Sequence, residues 1–309
     1  MTGVLQAVYQ NFRSFISGLQ RAIFAYGVDS TYSAVSTSNL VSNTGVVATN
    51  TTGVGTARYS LGAASYGTDK GIFGYGRTSG NFSITNLVSN TGVISTDTAG
   101  VGTARSELAA AGYGTDKAIF AYGGISVSPF LSGLTNLVSN TGVVASDVYG
   151  AGPDRSRVAA ATYGTDKAIF GFGNGPSITN ATNLVSNTGV VASSSTGIGT
   201  ARQYPAASSY GNDKAIFAYG QSSGGITSVS NLVSNTGVLA SDTTGVGTAR
   251  TQLAAAGYGG NKGIFGYGLN SSAVPLSMTN LVSDTGTIAT DTTGVGTARY
   301  ALACTSYST

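Results

Sequence analysis

The side chains that could do chemistry are few and regularly placed. The chain has no His, one Cys (Cys304) and twelve Asp and Glu among its 309 residues. A serine nucleophile would lack its usual imidazole base, and Cys304 would lack a His to activate its thiol. Asp97, Asp147, Asp242 and Asp291 recur one repeat apart, too distant from one another to share a cation, and no pair of carboxylates stands out for acid and base work. This inventory argues against an enzyme and calls for no metal and no cofactor. The most regular chemistry is cationic: Arg58, Arg105, Arg155, Arg202, Arg250 and Arg299 each follow an Asn-Leu-Val-Ser motif by nineteen residues. Such a ring of arginines has two readings. It either lines a channel mouth and takes an anion, or each guanidinium hydrogen-bonds to neighbouring segments and holds the structure together. The second reading is preferred, because a residue repeated without change serves the repeat.

The elements that must position these residues follow from the period. Asn-Leu-Val-Ser begins at Asn39, Asn86, Asn136, Asn183, Asn231 and Asn280, at spacings of 47, 50, 47, 48 and 49. A period of 40 to 50 residues with several short strand candidates points to a propeller. In one unit the strands predicted are 106–113, rich in Ala, then 117–123, 135–139 and 142–147, separated by Gly-, Asn- and Asp-bearing turns suited to tight hairpins. Small residues suit a crowded first strand. Ile and aromatics in the second suit the space between sheets.

The ends of the repeat array set the frame. Residues 301–309 match a first strand alone, and 20–27 begin at the second strand. Together they complete one blade. The expected fold is therefore all-β, a six-bladed propeller of four-stranded antiparallel blades over 20–309, closed by N- and C-terminal strands in one composite blade. An open array would need capping repeats instead.

Residues 1–19 differ. Leu5, Val8, Phe12, Phe15 and Leu19 recur at steps of 3, 4, 3 and 4, a helical stripe that must bury itself against something. It is expected to dock on a partner, with packing on its own domain or an extended arm as alternatives.

Charged residues are 9% of the chain, against roughly 25% in ordinary soluble domains, and the net charge is +3. All five Lys occupy one repeat position, so the cations are spread out and not gathered into a nucleic-acid patch. No apolar run approaches the ~18 residues of a membrane span. The N-terminus lacks the pattern of a secretory signal. Cys304 stands where other copies carry Ala and is read as a small buried apolar residue.

Recognition is expected on one face. The turns Gly-Thr-Asp and Ser-Asn-Thr barely vary and fall on one side. The connectors 28–38, 77–84, 124–134, 174–181, 221–230 and 269–278 differ from copy to copy and fall on the other. Variable loops on a rigid scaffold are where binding resides. Tyr32, Phe82, Phe130 and Met278, set among Ser and Asn, are the candidate ligand-facing side chains, for a glycan or a protein surface.

The Arg, the Ile-Phe-Ala-Tyr-Gly strand and Gly123-Gly124 over residues 20–309 resemble the Kelch-type propeller pattern, with the departures that most copies carry one Gly and none has the closing Trp. That resemblance implies a binding platform. Residues 3–15, Gly-Val-Leu-Gln-Ala-Val-Tyr-Gln-Asn-Phe-Arg-Ser-Phe, resemble the opening of some tailed-phage virion structural proteins. This implies a virion location in a larger assembly, with 1–19 contacting other virion proteins and the propeller meeting a host-surface glycan or protein. The alternative is a carbohydrate- or protein-binding propeller at a cell surface.

Overall fold

The computed structural model describes residues 20–309 except Pro129 and Ala151. The stripe Leu5, Val8, Phe12, Phe15 and Leu19 lies outside the described residues. Those described form an all-β chain of small antiparallel sheets with no helix. Six sheets repeat one plan. The first joins Ala303–Ser308, Gln20–Ala25 and Ser38–Val41. The second joins Gly62–Tyr66, Lys70–Gly74 and Thr85–Val88. The third holds Ala109–Tyr113, Lys117–Ala121, Leu134–Val138 and the two-residue Val148–Tyr149. The fourth is Ala159–Tyr163, Lys167–Gly171 and Thr182–Val185. The fifth is Ala206–Tyr210, Lys214–Ala218 and Ser230–Val233, and the sixth Ala254–Tyr258, Lys262–Gly266 and Thr279–Val282. In the first sheet the two ends of the described chain pair directly, Gln20 opposite Ser308 through Ala25 opposite Ala303.

The expectation of four full strands per sheet needs correction. Residues 142–147 form no strand. The segment touches its neighbour at the isolated bridge Val138↔Val144, then again at Thr135↔Val148. Between those contacts the register slips by one residue, as in a β-bulge. The cause is the buried Asn136. Its amide nitrogen donates to the Ala145 carbonyl at 2.9 Å and to Asp147 Oδ1 at 2.9 Å. A side chain thus takes over a ladder acceptor and splays the outer segment. Asn39, Asn86, Asn183, Asn231 and Asn280 donate in the same way to Ala48, Ser95, Ala192, Ala240 and Ala289.

Packing between sheets is cyclic in order. Each of six apolar clusters fills the interface of two neighbouring sheets, the sixth and first included. Edge-to-face ring pairs repeat this order: Tyr26 on Phe73, Tyr75 on Phe120, Tyr122 on Phe170, Phe172 on Phe217, Tyr219 on Phe265 and Tyr267 on Phe24, with centroids 5.0–5.5 Å apart. Each such pair is worth about 0.5–1.5 kcal/mol beyond its buried area. The first-named ring of each pair directly follows a second strand, and all six have φ of +62° to +68°, a conformation that costs a bulky side chain energy. Burial and ring packing on the next sheet offset that cost. At the Gly-Thr-Asp hairpins a chain of backbone bonds runs from sheet to sheet: Gly67 N to Asp116 O, Gly114 to Asp166, Gly164 to Asp213, Gly211 to Asn261, Gly259 to Gln20, and Ser308 to Asp69. Cys304 is buried in the cluster between the first and sixth sheets, and burial raises its thiol pKa.

Candidate functional site

The six repeated arginines are 0–1% exposed. Arg105 is one of the three whose Nε is bonded, with Arg58 and Arg299, while Nε of Arg155, Arg202 and Arg250 is buried with no partner among the described residues. Arg105 Nε donates to the Tyr122 carbonyl at 2.9 Å, its Nη1 to Thr103 O at 3.2 Å and its Nη2 to Asn136 Oδ1 at 2.6 Å. Its Cζ lies 4.3 Å from the centroid of the Tyr75 ring of the preceding sheet. Arg58, Arg155, Arg202, Arg250 and Arg299 stack likewise on Tyr26, Tyr122, Phe172, Tyr219 and Tyr267, at 4.0–4.9 Å. Nη2 of Arg58, Arg155, Arg202 and Arg250 reaches the Asn of the same sheet, and Nη2 of Arg299 reaches the Phe24 carbonyl. Burial lowers the pKa of Arg105, partly offset by Tyr75 and Asp147. Each guanidinium bridges two sheets, and none is presented at a surface where an anion would arrive.

The structure brings together a different set. Two residues beyond each arginine the backbone turns through positive φ, between +51° and +59°, at Ser60, Glu107, Arg157, Tyr204, Gln252 and Ala301. Their amides link in series: Arg157 N to Glu107 O, Glu107 N to Ser60 O, Ser60 N to Ala301 O and Ala301 N to Gln252 O, with Tyr204 N to Arg157 O at the other end. Residues from all six sheets meet there around a cavity of about 110 Å³. Three of the side chains form a network. Arg157 Nε donates to Glu107 Oε2 at 3.0 Å, and the Tyr204 hydroxyl donates to Glu107 Oε1 at 2.6 Å. Arg157 Nη1 also donates to Gln203 Oε1 at 2.7 Å, and its guanidinium lies 4.9 Å from the Tyr204 ring. Burial, then the Glu107 carboxylate, push the Tyr204 phenol well above its ordinary value, so it stays a neutral donor. Both Glu107 oxygens are engaged. The carboxylate is thus held as an anchor for Arg157 and not poised as a free base.

A larger cavity, about 390 Å³, opens beside this network over the second, third and fourth sheets. Its walls are Arg77 and Asn81 from connector 77–84, Phe130 from connector 124–134, Asn174 from 174–181, and Glu107 with Arg157 at the inner end. Asn81 Nδ2 ties two connectors together, donating to Gly124 O at 3.1 Å and Ser126 Oγ at 3.3 Å. Arg77 rests its guanidinium 5.9 Å from the Tyr59 ring, and its Nε is buried with no partner among the described residues. Such an unmet donor costs on the order of 1–3 kcal/mol.

Of the four connector side chains chosen from the sequence, only Phe130 lines this cavity; it is 62% exposed. Tyr32 is 78% exposed in the tight turn of connector 28–38. Phe82 and Met278 are half-buried in the second and sixth connectors. The four are not gathered into one site. Among the described residues no three His, Cys, Asp or Glu side chains form a metal-holding group, and no helix is long and apolar enough to cross a membrane. Glu107, Arg157 and Tyr204 are missed by the search for repeated residues because their position changes in every copy. That variation two residues beyond an invariant Arg is the signal that finds them. A scan against protein-family models and a search of curated proteins both found no match.

Proposed function

We propose that the six sheets are the blades of a Kelch-like six-bladed β-propeller, and that this propeller is a non-enzymatic recognition module carried on a tailed-phage particle. Residues 1–19 dock it to other virion proteins, and its connector face meets the host surface. The cyclic order of ring pairs and hairpin bonds supports the propeller, with the sheet joining Gln20–Ala25 to Ala303–Ser308 as the composite blade. The observation that carries the recognition role is the cavity of about 390 Å³, walled by connectors that differ among copies while the opposite hairpins barely do. It falls within the roughly 300–1,000 Å³ of small-ligand sites. The engagement of both Glu107 oxygens favours binding over catalysis.

The cavity equally suits a carbohydrate- or protein-binding propeller at a cell surface, and the two readings part at residues 1–19. Deleting 1–19 is expected to leave a folded propeller that still binds host cells but no longer enters particles. Undiminished incorporation of the deleted chain would contradict the docking role. Recovery of the intact protein from cell envelopes and never from particles would favour the cell-surface reading.

A further inference from the structure

We infer that the larger cavity binds a carboxylate-bearing saccharide, an acidic sugar whose carboxylate is taken by Arg77 and Arg157. The inference rests on the recognition reading above and names its ligand class.

The ionisable side chains on the cavity wall are two guanidinium groups and one carboxylate, so the cavity is cationic on balance. The carboxylate is paired with Arg157 and also accepts from Tyr204, so its charge is offset within the wall. Holding Arg157 by Nε and Nη1 fixes its plane and leaves the second Nη1 hydrogen and both Nη2 hydrogens as its remaining donors. Arg77 lines the cavity with its guanidinium set beside the Tyr59 ring. Two oriented planar donors match the two oxygens of a carboxylate better than ammonium groups would. The rest of the wall suits the remainder of a sugar. Ser106, Ser126 and Ser156 offer hydroxyls that both donate and accept, and Asn174 offers an amide. The exposed Phe130 ring at the rim gives an apolar face for a pyranose C–H surface. A neutral sugar could answer the guanidinium donors only through uncharged hydroxyl and ring oxygens, without the charge-assisted pairing that a carboxylate gives.

The test uses the full chain and a glycan panel of uronate- and ulosonate-bearing oligosaccharides. Beside them stand the same compounds with the carboxylate reduced to an alcohol, and neutral oligosaccharides bearing sulfate. The expected result is binding of at least one carboxylated member, at least tenfold weaker binding of its reduced form, and at least a tenfold loss with Arg77→Gln. Lys117→Gln, which removes one charge on the opposite face, is expected to change affinity less than twofold. Arg77 lies on a surface connector, and a melting temperature matching that of the parent confirms that its variant is folded. Equal affinity for acid and reduced forms overturns the inference, as does unchanged binding by folded Arg77→Gln or a preference for sulfated over carboxylated sugars. If neutral glycans alone bind and Phe130→Ser abolishes it, the acidic ligand class falls while the recognition face stands. If no glycan binds, the ligand class falls, and the recognition face is decided by host-cell binding.

Discussion

At the scale of single residues, the buried arginine is the molecule's most expensive and most useful choice. Breaking one of its contacts leaves a buried acceptor unmet, and removing all of them at once is strongly destabilising. Arg105→Gln strips donors from the Tyr122 carbonyl, the Thr103 carbonyl and Asn136 Oδ1. It is expected to lower unfolding free energy by about 3 kcal/mol in denaturant titration, while Lys117→Gln, on a partly exposed Asp-Lys hairpin pair, stays within about 0.5 kcal/mol. The aspartates beneath the arginines predict a pH dependence. Burial alone would raise the Asp147 pKa. Hydrogen bonds from Thr103 and Asn136, with the nearby Arg105, outweigh it and hold the pKa below the ordinary 3.8. Asp97, Asp242 and Asp291 are depressed for the same reasons, with Arg58, Arg202 and Arg250 as their cations. A depressed carboxylate gives stability that is present above its unfolded pKa and lost as pH falls through the folded one. The denaturant midpoint should therefore fall as pH drops below about 4, with each of these carboxylates contributing to the fall.

At the scale of elements, the repeat reveals strand order, and the structure supplies what splits the outer strand. The first, second and third strands are legible in the alternation of Ala-rich, aromatic and Asn-Leu-Val segments, and in the third sheet they lie at Ala109–Tyr113, Lys117–Ala121 and Leu134–Val138. The outer segment 142–147 reads as a strand because Val143 and Val144 have strand propensity. Propensity does not register that Asn136 captures the Ala145 carbonyl. The turn before it is a second element-scale constraint. Gly142 has φ of +84°, and a Cβ there would come within 3.0 Å of Leu87 and of the Tyr66 ring on the neighbouring sheet. Gly142→Ala is expected to lower the melting free energy by about 1–2 kcal/mol, measured calorimetrically. A neutral result would mean that the turn can relax away from Tyr66. The connector face is legible from the comparison of copies. Copy-to-copy variation singles out Glu107, Arg157 and Tyr204, but not their contact, because they come from three repeats, up to 97 residues apart in sequence, and meet only when the sheets assemble.

At the scale of the whole molecule, near-identical units arranged in cyclic order build a frame, and the units differ in their connectors and at the position two residues beyond each arginine. The uniform hairpin side repeats one backbone bond between every pair of neighbouring sheets. The connector side breaks that symmetry over three sheets with Arg77, Phe130 and Glu107–Arg157. This asymmetry is the physical basis of the proposed function, so the decisive measurement compares the two faces. Full-length protein and two folded variant pairs are assayed for binding to host cells: Arg77→Gln with Phe130→Ser on the connector face, and Lys117→Gln with Thr141→Ala on the hairpin face. Binding is expected to fall at least tenfold for the connector pair and to change less than twofold for the hairpin pair. Full binding by the connector pair, or loss confined to the hairpin pair, would contradict the proposed function.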